Sequence, residues 1–481
     1  MSLKQIIPFF IGFFLLAACS GGSGGREVKA YVSAYLKGNE KVVSFGSVDY
    51  QSILDKAEYK SIPKLGKILE NEVKRLGRSI DTKAPVYFVI EGPFDQNGNP
   101  AASYAFINVV NKDSLADRLG ASGLFVEESG DMKFAINGDV AIGAMDDLAI
   151  VITKKEKYNG KEMLTAAFEK AKGDAAGGKL DKLLGKKGDI TFNVNIQNLY
   201  NTSNTDLSKL DENKQKELAS MVKDSYIHSA MSFEKGQAVY TAENMFSDAL
   251  KQRMFFKEDK QAKILEKLGT GKARAGVSAN IDVLKIETFM DDFAPDVKKQ
   301  LLNMKSEIAF AAMMLGDKPF TKVFGGTFGL LVVGEPKMSD GFIPDVNFNV
   351  GIGSSGKMLF EMLASQAGNG RFVYKVTDTD LIGKSPNAGA GMSTLEIPEC
   401  GKDFGKQGIS AFLNFEGFDV ESFGFRGGLK TLNIIENVAL NVNNDGAKVI
   451  IRAKDPNKNI LKQLVDLYVR DIEMQINNMA I

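Results

Sequence analysis

The residue types that most often carry catalysis are scarce in this chain. Its 481 residues include one histidine, His228, and two cysteines, Cys19 and Cys400. Serine–histidine or cysteine–histidine catalysis would have to use His228, which opens a strand-like stretch without a nucleophile motif such as G-x-S-x-G. A zinc site would have to draw any histidine or cysteine ligands from His228 and Cys400. We therefore predict a structural or exposed histidine, a small partly buried Cys400 and no metal.

Paired carboxylates are the remaining route to hydrolysis. The chain has 60 acidic residues, and a glycosidase-like mechanism needs two of them on either side of a scissile bond. The visible doublets are Asp146-Asp147 and Asp291-Asp292, and each is interpreted more simply as a turn or the edge of a helix. Sugar sites usually also offer aromatic platforms, and the chain has 12 Tyr and 32 Phe but no Trp. A hydrolase that uses a carboxylate pair is therefore kept as an alternative.

Two further motifs suggest bound ligands. Residues 351–357 fit the dinucleotide fingerprint G-x-G-x-x-G and nearly fit the phosphate loop, with Met358 in place of the required hydroxyl. With 48 glycines in the chain and no surrounding βαβ series, a chance match is the simpler interpretation. Asp95 opens a calcium-like run, but Phe106 stands where a bidentate glutamate is required. We expect a strand-to-helix connection at the first motif, a β-turn at the second, and no cofactor.

The other cysteine lies in a pattern of exported lipoproteins. Lys4 precedes an apolar run, residues 6–16, that is too short to span a bilayer. The run Leu16-Ala17-Ala18-Cys19 resembles the lipobox of type II signal peptides, which implies cleavage before the cysteine and acylation of its thiol and new amine. Several acyl chains anchor stably where one holds only reversibly. We predict a signal peptide over residues 1–18 and lipidation of Cys19.

The composition of the chain after the anchor predicts a flexible linker, excludes some classes of partner and leaves no cysteine pair for a disulfide. Residues 20–25 read SGGSGG, which is typical of a flexible linker, and we place the tether over residues 19–30. The 60 Lys and Arg balance the 60 Asp and Glu, so no basic excess would attract nucleic acid or an anionic membrane surface. With Cys19 lipidated, Cys400 has no partner for an intramolecular disulfide.

A strand–helix unit recurs along the chain. A short apolar strand precedes Ser or Asn and a helical pattern in four stretches: residues 42–48, 190–196, 275–281 and 409–415. Their irregular spacing indicates diverged duplication with insertions rather than a solenoid of fixed period. We predict that the polar residue caps the following helix, because its oxygen can accept a hydrogen bond from an unpaired N–H of the first turn.

Hairpin patterns dominate the remainder. Asn137-Gly138 and the run 443–446 are strong hairpin turns. A last helix over residues 459–477 carries an apolar stripe, predicted to pack on a sheet, of Ile460, Leu464, Leu467, Tyr468 and Ile472. We predict an α+β fold of mostly antiparallel sheets with flanking helices, built from diverged strand–helix repeats. The chain is too long for one core, so we place an N-terminal domain over residues 31–180 and a C-terminal region over 181–481, with a further split near 335.

With these elements the chain resembles a Bacteroidetes lipoprotein family known as domain of unknown function 4836. The resemblance rests on the lipobox, on residues 42–45 followed by 52–57, on 85–89, and on 189–193 with the hairpin after them. It implies an envelope location and brings no established activity. Surface-displayed lipoproteins of that phylum often carry an acidic tag after the cysteine, which residues 20–25 lack. This implies a protein that faces the periplasm from the outer membrane.

The sequence thus predicts a non-enzymatic envelope lipoprotein that acts as a scaffold or binding module. Its predicted partner is the membrane, through the lipid on Cys19. Two alternatives stay open: a periplasmic hydrolase with a carboxylate pair, and a subunit of a larger outer-membrane complex. A contiguous exposed apolar patch would favour the latter.

Overall fold

A computed structural model describes the chain over residues 27–155, 158–202, 210–303, 314–334, 345–367, 372–416 and 430–479, with side chains of the last helix described to residue 469. The predicted signal peptide, Cys19 and residues 20–26 lie outside the described residues. The chain divides into two compact units. The first comprises residues 1–206, 222–240 and 457–481, and the second comprises residues 207–221 and 241–456.

Helices and strands alternate along both units. The helices are α1 (Val28–Leu36), α2 (Tyr50–Lys56), α3 (Leu65–Leu76), α4 (Lys112–Ala121), α5 (Gly160–Lys172), α6 (Gly178–Leu184), α7 (Ile196–Thr202), α8 (Glu212–Val222), α9 (Asp248–Gln252), α10 (Val283–Phe293), α11 (Pro295–Leu302), α12 (Pro319–Val323), α13 (Lys357–Ala367) and α14 (Ile460–Met479). The strands are β1 (Val42–Val48), β2 (Val86–Phe94), β3 (Pro100–Asn108), β4 (Val126–Ser129), β5 (Met132–Asn137), β6 (Val140–Met145), β7 (Leu148–Thr153), β8 (Ile190–Asn195), β9 (Tyr226–Glu234), β10 (Gln237–Met245), β11 (Gly271–Asn280), β12 (Phe324–Val333), β13 (Asp345–Ile352), β14 (Val373–Val376), β15 (Asp380–Lys384), β16 (Leu395–Glu396), β17 (Ile409–Asn414), β18 (Ile435–Asn443) and β19 (Gly446–Ala453).

The first unit is built on an antiparallel sheet in the order β4-β5-β6-β7-β3-β2-β1-β8-β9. β1 is an inner strand between β2 and β8, and Phe45 is opposite Val89 on β2 and Asn193 on β8. All seven residues of β1 are buried. A strand with neighbours on both edges and cover on both faces needs apolar or small side chains throughout, which explains its sequence VVSFGSV.

The second unit repeats this plan. Its antiparallel order is β14-β15-β13-β12-β11-β17-β18-β19, with the short β16 parallel to β11. β11 takes the place of β1, β12 and β13 form the hairpin on one side, and β17 pairs on the other as β8 does with β1. The buried aromatic pair Phe404 and Phe412 lies in its core, with ring centroids 5.7 Å apart. The predicted α+β fold of mostly antiparallel sheets is confirmed.

The four recurring stretches contain paired inner strands of the two sheets. Residues 42–48 and 190–196 contain β1 and β8, which pair with each other, and residues 275–281 and 409–415 contain part of β11 and all of β17, which also pair. The strand order β6-β7-β3-β2-β1-β8-β9 of the first unit corresponds to β14-β15-β13-β12-β11-β17-β18 of the second, which supports the prediction of diverged repeats.

The predicted capping role holds for one of these stretches. Asn195 accepts a hydrogen bond of 3.0 Å from a backbone N–H in the first turn of α7. In two others the cap is an aspartate further along, Asp49 for α2 and Asp282 for α10. That part of the prediction is wrong for Ser47, whose hydroxyl bonds the hydroxyl of Thr191 on β8, and for Asn280, because Asp282 caps the helix that follows it. The chain after Asn414, from residue 417, lies outside the described residues.

The predicted tether is too long at its C-terminal end. α1 begins at Val28, and Val28, Tyr31, Val32 and Tyr35 are all buried. This spacing places one side of a helix against the core, and α1 packs on α5. Residues 28–30 therefore belong to the folded unit rather than to the linker.

The two units do not divide where we placed the domain boundary. The first unit continues past residue 180 because β8, which lies beyond that point, pairs with β1. The split near 335 lies outside the described residues, and the strands on either side of it, β12 and β13, pair within one unit. Pairing between distant strands, rather than local composition, determines these boundaries.

The last helix contacts β9 of the sheet, as predicted, and also packs by residues outside the predicted stripe. Ile460 is buried, but Val465 and Val469 are the residues that pack on the small cluster around Tyr59 and Val73. The side chain of Ile472 lies outside the described part. None of the described helices combines the length and the apolar character needed to cross a bilayer.

Candidate functional site

His228 has a structural position in the first unit. It is 5% exposed on β9, and its Nδ1 lies 2.8 Å from Oδ1 of Asn193 on β8. Asn193 is fully buried and donates through Nδ2 to the carbonyl of Phe45 on β1, at 3.2 Å. The three residues form a polar link across adjacent strands, so the prediction of a structural histidine is confirmed.

Cys400 lies beside the aromatic core of the second unit. Its side chain is partly buried and packs against the cluster that contains Phe404 and Phe412. Burial raises the pKa of the Cys400 thiol above its ordinary value. A thiol with a raised pKa is mostly protonated at neutral pH and weakly nucleophilic, as expected for a small buried side chain.

Within each of the two carboxylate doublets, the two aspartates do not share a partner. At the end of α10, Asp291 accepts from Nζ of Lys298 at 2.6 Å, whereas Asp292 forms an ion pair of 3.1 Å with Arg253. Asp146 has a positive φ of 53° in the turn between β6 and β7. The interpretations as a helix edge and a turn are confirmed, and neither doublet presents its two carboxylates to one partner.

The glycine-rich run connects β13 to α13, as expected. A Cβ atom at Gly353 would lie 2.5 Å from the carbonyl oxygen of Lys322, and one at Gly356 would lie 2.3 Å from that of Val323. These glycines are needed because the connection passes directly against the backbone at the end of α12. The space beside them is therefore filled by protein. Lys357 forms an ion pair with Asp378 at 2.7 Å.

The calcium-like run is the turn of the β2–β3 hairpin. The carboxylate of Asp95 accepts from the backbone N–H groups of Asn97 at 2.9 Å and Asn99 at 2.7 Å. An aspartate that bonds its own turn in this way favours the hairpin, which confirms the β-turn. Across the described residues, no group of three or more His, Cys, Asp or Glu side chains is placed to hold a metal ion.

A cavity of the first unit contains a carboxylate that sequence analysis did not single out. It has a volume of about 390 Å³ and lies among β2, β3, α1 and α5, within the range of small-molecule pockets. We call it the Glu91 cavity. Its polar lining comprises Tyr35, Lys41, Glu91, Tyr104, Lys154 and Lys170, and its apolar lining includes Pro93, Ala101, Ala102, Met163, Ala166 and Ala167.

Strand alternation brings Glu91 to the base of the cavity. Tyr87, Val89 and Glu91 occupy alternate positions of β2 and are 8%, 0% and 7% exposed. Alternate residues share one face of a strand, so a carboxylate stands on the face that the first two residues bury. This alternation is the signal that could have identified Glu91 from sequence. Just after it, between Glu91 and Phe94, the pairing of β2 with β3 shifts register.

Three neutral donors hold the Glu91 carboxylate. Oε1 accepts from the hydroxyl of Tyr35 and from Nδ2 of Asn39, both at 2.9 Å, and Oε2 accepts from the hydroxyl of Tyr104 at 3.3 Å. A buried carboxylate without such partners would be strongly destabilising. Burial, and next the charge of Glu91, raises the pKa of both Tyr35 and Tyr104 well above the ordinary value. Both phenols therefore stay protonated and act as donors.

Lysines from three separate segments reach the same cavity. Lys41 directly precedes β1, Lys154 directly follows β7, and Lys170 lies in the last turn of α5. Nζ of Lys170 is 5.5 Å from the ring centroid of Tyr35. Among the described residues that line the cavity, Glu91 is the one carboxylate. The cavity thus combines an apolar wall, a buried polar base and a cationic lining.

Comparison with known proteins adds little to this description. No family model matches the sequence, and no curated protein matches it. Crystal forms I and IV of the protein TP0453 are similar over part of the chain, each with a TM-score of 0.27 and 8% identity. The similarity covers 44% of this chain and 77% and 78% of those chains. At that TM-score the likeness carries no argument about fold or function.

Proposed function

We propose that this chain is a membrane-anchored envelope lipoprotein whose first unit binds a small molecule, without chemical conversion, in the Glu91 cavity. The observation that carries the proposal is the buried Glu91–Tyr35–Tyr104 network at the base of a cavity of about 390 Å³. A few placed polar groups in an otherwise apolar concavity are typical of ligand sites.

The state of the polar groups supports binding rather than catalysis. Glu91 accepts three hydrogen bonds and is 7% exposed, so its lone pairs are already engaged. Both tyrosines have raised pKa values, which disfavours them as bases at neutral pH. A carboxylate pair needs a second acid, and none is found among the described residues that line this cavity.

The sequence near the anchor supports a position close to the membrane. Because α1 begins at Val28, the linker after Cys19 consists of residues 20–27. A chain of that length reaches at most about 28 Å when fully extended. With Cys19 lipidated, α1, which carries Tyr35 at the base of the Glu91 cavity, would start within that distance of the membrane surface.

The test uses the full mature chain and two fluorescent probes, 1-anilinonaphthalene-8-sulfonate and its uncharged analogue N-phenyl-1-naphthylamine. Saturable binding of at least one probe is expected, and Ala166→Trp, which fills the cavity mouth, should abolish it. Glu169→Trp is the matched control, since Glu169 is an exposed residue of α5 outside the lining. If both tryptophan variants bound the probes as the wild type does, the cavity would not be the binding site.

A second candidate function, a subunit of an envelope complex, is favoured by an apolar surface on the second unit. α13 and β14 are in contact and expose Met358 (70%) and Val373 (57%). Among the described strands, β14 ends the sheet with β15 as its neighbour, and exposed edge strands invite pairing. Affinity purification from detergent-solubilised envelope should recover a stoichiometric partner that is lost with Met358→Lys and Val373→Lys. Recovery of the chain alone would eliminate this candidate.

A further inference from the structure

The charge of the cavity lining indicates what kind of molecule it takes. Lys41, Lys154 and Lys170 come from a loop, a strand end and a helix end. The partial negative charge at a helix C-terminus favours a cation, and this local effect is enough to explain Lys170. It does not explain Lys41 or Lys154. The other two lysines are brought to the cavity by the tertiary fold.

Glu91 is engaged by groups other than these lysines. Its described hydrogen bonds come from the neutral side chains of Tyr35, Asn39 and Tyr104. Three lysines therefore line the cavity together with one carboxylate that already accepts three hydrogen bonds. In a partly desolvated cavity, an excess of one sign of charge raises the local concentration of ligands of the opposite sign.

Another part of the cavity lining is apolar. Ala102 comes from β3, and Met163, Ala166 and Ala167 lie on one side of α5. Small side chains at these positions leave the space open, and methionine adapts to ligands of different shape. A ligand that matches both walls has an apolar body and a negatively charged group.

We propose that the Glu91 cavity binds a small organic anion, whose acidic group lies among the lysines and whose apolar body lies against α5 and β3. This inference rests on the proposed function and adds the class of ligand. Each exposed ion pair contributes little, but partial burial of the ligand strengthens the attraction, and several lysines act on the same acidic group.

The anilinonaphthalene sulfonate and phenylnaphthylamine probes test this inference because they share one aromatic body and differ by the sulfonate. The wild type should bind the anionic probe about tenfold more tightly than the neutral one. The double variant Lys41→Gln/Lys170→Gln should lower the affinity for the anionic probe by about tenfold and leave the affinity for the neutral probe unchanged. Lys161→Gln, an exposed lysine of α5 outside the lining, is the matched control.

The outcomes separate this inference from the proposed function. If Ala166→Trp still blocks binding, the cavity remains the binding site. Equal affinities for the two probes, or equal losses of affinity for both probes in the double variant, would then overturn only the anion assignment. If Ala166→Trp left probe binding unchanged, both the anion assignment and the proposed function of the cavity would be wrong. Competition by octanoate or by phenyl phosphate against the anionic probe then shows whether a carboxylate or a phosphate is preferred.

Discussion

The hydroxyl oxygens of Ser278 and Ser410 lie 2.7 Å apart across β11 and β17, at the centre of the second unit's sheet. Ser47 and Thr191 make the same contact, at 2.8 Å, between β1 and β8. In the second unit both hydroxyls also accept from the backbone N–H of Gly405, at 2.9 and 3.0 Å. Polar residues of the recurring stretches thus join the paired strands β1 and β8 in the first unit and β11 and β17 in the second.

This shared donor makes the two serines energetically coupled. Ser278→Ala or Ser410→Ala alone leaves Gly405 one acceptor, so each should lower the free energy of unfolding by about 1 kcal/mol. The double variant leaves a buried N–H without a partner and should exceed the sum of the singles by about 1 kcal/mol. Urea unfolding of all four proteins measures the coupling, and strictly additive losses would contradict the shared contact.

The tyrosines of the Glu91 cavity predict a loss of stability at alkaline pH. Their folded-state pKa values are raised above the ordinary value near 10. The folded state therefore holds protons that the unfolded state releases, so this stabilisation is full below about pH 10 and declines above it. The double variant Tyr35→Phe/Tyr104→Phe should flatten the decline measured by urea unfolding between pH 9 and 11. An unchanged slope would argue against the network.

A buried carboxylate in the second unit predicts sensitivity to acid. Glu287 on α10 is fully buried. Burial alone would raise its pKa, but hydrogen bonds from the hydroxyl and N–H of Thr321, from Lys298 and from the N–H of Phe320 outweigh this and lower it. The lowered pKa means that Glu287 contributes stability above about pH 4.5, which is lost as the pH falls through the folded-state value.

Replacing this carboxylate tests its contribution. Glu287→Gln should lower the free energy of unfolding by about 3 kcal/mol at pH 7, because it removes the negative charge beside Lys298 and replaces one of the two oxygens that accept from α12 with an NH2 group that cannot accept. The difference from wild type should shrink as the pH falls below about 4.5. Thermal unfolding from pH 3 to 7 measures both effects, and Glu266→Gln, in a short turn of the same unit, is the control. If the difference in stability between Glu287→Gln and the wild type did not change with pH, the negative charge of Glu287 would not contribute to stability.

The assignment of α1 to the folded unit is tested by a conservative truncation. Val32 is fully buried, so Val32→Ala should lower the free energy of unfolding by about 2 kcal/mol. Ser23→Ala, in the predicted linker, should change it by less than about 0.5 kcal/mol. Equal stability of the two variants in urea unfolding would argue against the packing of α1 and would return residues 28–30 to the tether.

The anchor is tested at Cys19. Cys19→Ser removes the thiol that the predicted lipobox would acylate, so the variant should be recovered as a soluble or an uncleaved protein. Fractionation of cells followed by intact-mass measurement distinguishes these states. If Cys19→Ser were still recovered as a processed membrane protein, the lipid anchor would be wrong.

Local sequence determined much of the fold. The Asp95 turn and the hairpin at Asn137-Gly138 follow from short-range hydrogen bonds and φ preferences, which act whatever the rest of the chain does. Alternating apolar patterns likewise predicted most strands, and the α+β class followed from them.

Tertiary structure decided what lies far apart in sequence. β8 pairs with β1 across some 140 residues of chain, so the first unit does not end at residue 180. The Glu91 cavity depends on the same effect: its tyrosines, lysines and carboxylate come from segments between Tyr35 and Lys170. A sequence pattern shows which face of a strand or helix a residue occupies. Which element that face packs against is determined by hydrophobic packing and strand pairing, because these interactions act through space rather than along the chain.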